Sequence, residues 1–404
     1  MKVTVRGNIF DLLAFRGLPR KRKKRFAKAS AQPLPVHPVN ELAQLIHPKK
    51  LHLEVIDVRD ETKTTRTFRM AAAPGSETRA LPCFRAGQYL SVKAEFDGAR
   101  LSRPYSIASA PFEAVGPDGF YEITIRRVEG GFFTDHVWGT WKVGTPVLSS
   151  SPVGLFYHEP LRDRRKIVGL AGGSGVTPFR SMAREIVFGD LDAELLLLYG
   201  SSDEEDILFY NDLKHLEGGS SGRVRVVHVL SCEVVSLEGC EQGFITSELI
   251  RRHADVENDS FFVCGPEMMY RFLEAELAKL DLPRKRVRRE VWGELTEVAS
   301  QPGYPTQAVG KTFQMKVTMH GVTSEIPAQA GESVLVAMER ASLASPSLCR
   351  SGECGYCRSR LIGGDVFVAP ESDDRRAADK KLGFIHPCSS YPLSDLEIET
   401  PGEV

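Results

Sequence analysis

The sequence predicts a multidomain protein: an antiparallel β-barrel, a doubly wound α/β domain, and a small α+β domain at the end. Three observations carry this reading. Between Leu51 and Phe156 apolar and polar residues alternate with period two, as in half-buried antiparallel strands. From Lys166 onward, short continuous apolar runs alternate with helical stretches, the pattern of buried parallel strands joined by crossover helices. Near the C-terminus four cysteines stand at a distinctive spacing, three of them within nine residues.

The 404 residues are 42% hydrophobic and 26% charged, with a net charge of −1. That balance excludes a disordered, collagenous or membrane-embedded chain. No apolar run approaches the ~20 residues that span a bilayer. Met1–Phe15 is interrupted by Lys2, Arg6, Asn8 and Asp11, a poor secretory signal. A cytoplasmic protein is expected, where disulfides are rare.

Residues 1–48 form a basic leader with ten Lys or Arg against two acids. Arg20–Arg25 is six consecutive positive charges, and Pro33, Pro35 and Pro38 favour extended chain. A solvated tail is the default expectation, with Met1–Phe15 as a short helix the alternative. The run could also touch an anionic membrane surface. The chain as a whole is near neutral at −1, so specific nucleic-acid binding is not expected.

The barrel is placed at residues 49–158. It carries Arg103-Pro104-Tyr105-Ser106 on an extended segment. One strand there offers an Arg to a phosphate, a Tyr ring to an isoalloxazine, and a Ser hydroxyl near the redox nitrogen of a flavin. Ile125 closes the next hairpin and is counted with the cofactor-binding residues. Gly130, Gly131 and Thr134 precede a helical stretch, whose free amides suit the same phosphate.

The α/β domain is placed at 159–293. Gly172, Gly173 and Gly175, followed by Thr177 and Pro178, link a strand to a helix and let a pyrophosphate approach its N-terminus. Gly200 and Ser201 end the next strand, where a ribose would lie, and Cys264-Gly265-Pro266 ends a later one. Ser201–Asp206 holds four acids and no base. Such a segment repels a 2′-phosphate, so NADH is favoured over NADPH. Glu290-Val-Trp292-Gly closes the domain, and Trp292 is a candidate for the ring site or for core packing.

Residues 294–311 have no sustained period and read as a linker. In the last domain, 312–404, Cys349-x4-Cys354-x2-Cys357-x30-Cys388 matches the ligand spacing of a plant-type 2Fe-2S cluster. A four-thiolate zinc site is the alternative, but zinc ribbons pair two Cys-x2-Cys knuckles and only one is present.

With these motifs in this order, the chain resembles the ferredoxin–NADP reductase superfamily with a C-terminal plant-type ferredoxin domain, the phthalate dioxygenase reductase type. The resemblance implies an antiparallel β-barrel flavin domain, a doubly wound α/β nucleotide domain and a β-grasp ferredoxin domain. It implies FAD, with FMN as the alternative, together with NADH and the 2Fe-2S cluster. Ser106, Cys264 and Glu290 would lie near flavin and nicotinamide. The implied activity is an oxidoreductase passing hydride from NAD(P)H to flavin, then single electrons through the cluster to a separate protein. Alternatives are a reductase of small acceptors and a non-catalytic redox sensor. Glu353, Asp365, Glu371, Asp373 and Asp374 offer a docking face for a basic partner, or a plain solvated surface.

Overall fold

The structure, a computed structural model, describes residues 9–29, 37–96, 99–232, 237–291, 293–295 and 297–402. Trp292, Pro33 and Pro35 lie outside the described residues. The chain forms two units, Met1–Ile46 and His47–Val404.

In the first unit, helices α1 (Ile9–Ala27) and α2 (Pro38–Ile46) replace the expected tail. The basic run lies on α1, exposed along its length. Pro38 opens α2 instead of opposing helix, because the first helical position has no partner for an N–H in any case. No helix of the described residues is long and apolar enough to cross a membrane.

The second unit begins with six strands: β1 (Leu51–Thr62), β2 (Thr65–Ala72), β3 (Tyr89–Phe96), β4 (Ala99–Ser106), β5 (Tyr121–Arg126) and, after helix α3 (Phe132–Thr140), β6 (Pro146–Ser149). They pair antiparallel in the order β4-β3-β6-β1-β2-β5. An Ile107–Ile123 bridge joins the two edges, so the sheet closes as a barrel. Alternate residues such as Leu51, Leu53, Phe68, Met70, Leu90 and Val92 fill its interior.

Next come β7 (Lys166–Gly172), α4 (Thr177–Phe188), β8 (Glu194–Ser201), α5 (Tyr210–Gly219), β9 (Val224–Leu230), β10 (Glu241–Gln242), α6 (Ser247–His253), β11 (Ser260–Cys264), α7 (Glu267–Ala278) and β12 (Val287–Glu290). The strands form one parallel sheet in the order β10-β9-β8-β7-β11-β12. Leu195, Leu197 and Tyr199 pack on one face, Leu196 and Leu198 on the other. Burial on both faces explains the unbroken apolar run in the sequence. Phe209, at the N-terminal cap of α5, takes a left-handed φ of 57°.

The last domain holds β13 (Thr312–Met319), β14 (Val322–Gln329), α8 (Val334–Arg340), β15 (Ser359–Gly363), β16 (Val366–Phe367), α9 (Ala377–Lys381), β17 (Phe384–Ile385), β18 (Tyr391–Pro392) and β19 (Leu396–Thr400). Five strands form a mixed sheet, β14-β13-β19-β15-β17, with α8 packed on its apolar side. This is a β-grasp arrangement. The segment 294–311 is not a free tether. Val298, Tyr304 and Ala308 are buried against Ala330, Phe367, Ala369 and Tyr391. Tyr304 Oη donates to Ala330 O at 3.0 Å, and Leu295 N donates to Tyr391 Oη at 2.9 Å. Aperiodic spacing hid this packing, because isolated apolar residues on short 3₁₀ turns carry no period.

Candidate functional site

The Arg103–Ser106 motif lies on β4, at one end of the strand order, and the closing bridge at Ile107 comes only after the motif, so Pro104 can face the unpaired side. Arg103 Nη1 donates to Ser102 O at 2.8 Å, and the guanidinium stands 5.6 Å from the ring of Phe133 in the first turn of α3. The Tyr105 ring is 6.2 Å from the same Phe133. Gly131 caps α3 without a side-chain bond to its amides. Val128 N donates to Thr134 Oγ1 at 3.1 Å, which closes the loop before the helix. Arg103 and the amide end of α3 therefore converge, a donor set suited to a phosphate. Ile125 points into the barrel core.

Ser106, Cys264 and Glu290 come together from three separate strands. Cys264 pairs in register with Glu290, and Ser106 Oγ donates to Glu290 Oε2 at 3.5 Å. Burial raises the Glu290 carboxyl well above its ordinary 4.5, and the nearby Glu353 adds to this. Folded Glu290 thus keeps its proton where the unfolded chain ionises. Its stability contribution is complete below about pH 4.5 and is lost as pH rises toward the folded value. Glu290→Gln is expected to match the parent's Tm at pH 4 and to exceed it increasingly toward pH 8, by calorimetry. Equal Tm values at pH 8 would contradict this.

A cavity of about 520 Å³ opens at the carboxyl ends of β7, β8 and β9, beside the point where strand order reverses. Gly172, Gly173, Gly200, Ser201 and Pro266 line it. Gly175, Thr177, Pro178, Cys264 and Gly265 do not; they frame the turn behind. A Cβ at Gly175 would stand 2.1 Å from Cys264 O, so only glycine allows this close strand–helix approach. Sequence reasoning missed Arg126, which also lines the cavity. It reaches over from β5 and forks onto Asp206, Nη2 donating to both carboxylate oxygens at 2.8 Å. The acids of 203–206 are already engaged. Asp206 takes Arg126, Glu205 takes Lys63 at 2.6 Å, and Glu204 Oε1 accepts Leu237 N at 2.9 Å. Two of the four acids, Asp206 and Glu205, are thus paired with cations, which reduces the repulsive field expected from the sequence.

The cysteine loop runs from Cys349 to Cys357, between α8 and β15. Arg350, Gly352 and Gly355 take φ values of 59°, 89° and 67°, which wind the backbone tightly. For Arg350 that conformation costs about 1 kcal/mol. The turns aim amides at sulfur. Ser351 N and Cys354 N donate to Cys349 Sγ at 3.5 and 3.4 Å, and Tyr356 N to Cys354 Sγ at 3.4 Å. No three of the described ligating side chains ring a single ion-sized point. Instead Cys354, Cys349, Cys388 and Cys357 adjoin one another as a row, with Cys357 Sγ 3.5 Å from Cys388 Sγ. Four thiols with amides on their sulfurs fit a two-iron cluster, two sulfurs to each iron. Within the expected acidic docking face Asp373 is engaged: burial would raise its carboxyl, and Arg375 and Lys380 hold it down to about 2. Burial raises the Asp374 carboxyl against the pull of Arg284.

A second cavity, of about 560 Å³, has walls from all three domains. Tyr89 and Gly154 come from the barrel, Glu290 from β12, and Glu353, Cys354 and Tyr356 from the iron loop. Its volume is in the range of cofactor sites.

Three family profiles match in the same order as these sites: an oxidoreductase FAD-binding domain over 52–158, an oxidoreductase NAD-binding domain over 170–275, and a 2Fe-2S iron-sulfur cluster binding domain over 317–393. This chain carries those three domains in that order. Its 2Fe-2S domain is the C-terminal one, and its cofactors are FAD, a nicotinamide adenine dinucleotide and the cluster. The ferredoxin reductase component of 3-ketosteroid-9-alpha-monooxygenase from Mycobacterium tuberculosis is 27% identical, over 85% of this chain and 94% of that one. The reductase of the glycine betaine monooxygenase of Pseudomonas aeruginosa is 26% identical, over 85% and 93%. Phthalate dioxygenase reductase shares the fold, with a TM-score of 0.61 and 24% identity over 87% of this chain and 98% of that one. The chain is thus an NAD(P)H-dependent flavin and iron-sulfur oxidoreductase.

Proposed function

We propose that this reductase takes hydride from NADH and delivers single electrons to a separate oxygenase component. One observation carries the proposal: a single cavity joins Tyr89 and Gly154 of the barrel, Glu290 of the nucleotide domain and Cys354 of the iron loop. Flavin and cluster bound there would supply the conversion of a two-electron donor into one-electron steps. Arg103 and the first-turn amides of α3 hold the flavin phosphate, and Tyr105 lies against the ring. Ser106 and Glu290 hold a hydrogen-bonded proton beside it. The 172–175 turn receives the dinucleotide pyrophosphate, and Cys264 stands behind that turn, in register with Glu290. Cys349, Cys354, Cys357 and Cys388 ligate the irons. The test is anaerobic mixing with NADH, followed at the flavin and cluster absorbance bands. Bleaching of both, followed by turnover only with an added oxygenase component, supports the reading. Cofactors that stay oxidised, or full turnover with small physiological acceptors alone, would overturn it.

Arg126 is assigned to the pyrophosphate, with Asp206 holding its fork in place. Loss of a charged hydrogen bond is worth ~1.5–3 kcal/mol, so Arg126→Ala should raise the KM for NADH roughly 10- to 100-fold with kcat little changed. Steady-state kinetics at saturating FAD decide it.

The leader is assigned to an anionic bilayer surface. Arg20–Arg25 lies exposed on α1, and Val39, Leu42 and Ile46 are exposed at i, i+3 and i+7 of α2. Each basic residue near such a surface contributes ~1 kcal/mol. The protein should sediment with phosphatidylserine-rich vesicles and not with phosphatidylcholine ones, and removal of 1–46 should abolish this. Equal sedimentation with and without residues 1–46 would reject it.

A further inference from the structure

Four charged side chains alternate in sign across the junction of the three domains. Glu294 follows the last strand of the nucleotide domain. Arg350 adjoins Cys349 in the iron loop. Glu339 lies on α8, and Arg103 on β4 of the barrel. Arg350 is fully buried and grips both Glu339 oxygens, Nη1 to Oε1 and Nη2 to Oε2 at 2.9 Å. Its Nη2 also stands 2.5 Å from Glu294 Oε1, an ion pair without hydrogen-bond alignment. Glu339 Oε2 in turn lies 4.0 Å from Arg103 Nη1. Next to this pair, Ser102 and Ser347 hydroxyls bond each other across the same seam.

We propose that Glu339 is a positioning residue for electron transfer: held by Arg350, it fixes the Arg103 guanidinium on the flavin side and the iron loop on the other. The inference rests on the reading of Arg103 as the flavin-phosphate residue. Several features argue for it. Glu339 is itself buried, and a carboxylate is costly to bury unless fully paired. Here one oxygen pair serves two arginines that belong to different domains. Arg350 holds a left-handed backbone next to a cluster ligand, so its side-chain anchor constrains where Cys349 sits. Arg103 approaches carboxylate and the amide end of α3 at once, which leaves its planar fork with one preferred orientation. A shift on either side would lengthen the path between flavin and cluster while sparing the nucleotide cavity, which shares no residue with this network.

The test uses the full chain with FAD and cluster loaded. Glu339→Gln should weaken flavin binding about fivefold by fluorescence titration of the flavin-free protein, since one charged partner of Arg103 is lost. At saturating FAD, stopped-flow mixing with NADH should show flavin bleaching at the parent rate. Cluster bleaching should slow about tenfold or more, because small misplacements of reacting partners carry large rate costs. Glu339→Asp keeps the charge and should restore most of both effects. A Glu339→Gln protein with full iron, parental flavin affinity and parental cluster bleaching overturns the proposal. If Glu339→Gln loses its cluster on purification, the flavin titration decides: weakened flavin affinity that Glu339→Asp restores supports the proposal, and parental flavin affinity in Glu339→Gln overturns it. If the parent itself never bleaches its cluster, the functional reading fails, and the flavin titration still decides the role of Glu339.

Discussion

Cys354→Ser is expected to give a protein that holds FAD but no cluster. Cys354 is the exposed member of the four ligands, at the wall of the shared cavity. Thiolate suits iron in these clusters, and a serine oxygen is a hard, poorly matched substitute. Cys354 N already bonds Cys349 Sγ through the backbone, so the loop keeps its turns when the side chain changes. Iron content should fall to background, and one-electron output to a protein acceptor by roughly 100-fold or more. Bleaching of the flavin band by NADH under argon should persist, since Gly172, Gly173, Arg126 and Ser106 are untouched. Metal analysis together with the anaerobic spectrum separates the two effects. A variant that keeps two irons per chain would contradict the ligand assignment.

Much of this arrangement was legible in the sequence because each motif is continuous along the chain. The glycine turn at 172–175, the Arg103–Ser106 strand and the Cys349–Cys357 loop each carry their chemistry within a few residues. Local backbone needs, such as the left-handed turns at Gly352 and Gly355, select visible residue types. The period-two alternation and the unbroken apolar run likewise reflect burial on one face or on both.

What stayed hidden is what forms only when domains meet. Arg126 directly follows Ile125 on β5, and period two turns it away from the barrel core toward the nucleotide cavity. Its partner Asp206 is 80 residues away, and no pattern in either segment records the pairing. The acids of 203–206 and 371–374 look like free negative fields in the sequence, yet in the structure Arg126 and Lys63 engage Asp206 and Glu205, and Arg375 and Lys380 engage Asp373. Charge counted along a chain therefore overstates charge presented to a ligand or partner. Segment 294–311 repeats the lesson for apolar residues: Tyr304 and Val298 are too few to set a rhythm and still sufficient to pack.

Arg103→Ala should remove the flavin and leave the cluster. The guanidinium is the charged donor beside the amide end of α3, and neither Phe133 nor Thr134 can replace its fork. A bidentate charge-assisted pair lost with its partner contributes ~3 kcal/mol or more, so the dissociation constant for FAD should rise at least about 100-fold. Arg103→Lys keeps the charge without the planar fork and should fall between the two. The iron loop is held by Arg350 with Glu339 and Glu294, so Arg103→Ala should retain its iron and its cluster absorbance. Fluorescence titration with FAD, read beside metal analysis of the same preparation, makes the comparison. Parental FAD affinity in Arg103→Ala would place the phosphate elsewhere, with α3 alone as its anchor. Loss of iron along with flavin would instead mean that Arg103 is a structural member of the junction, bound to Glu339 for the sake of the ferredoxin domain.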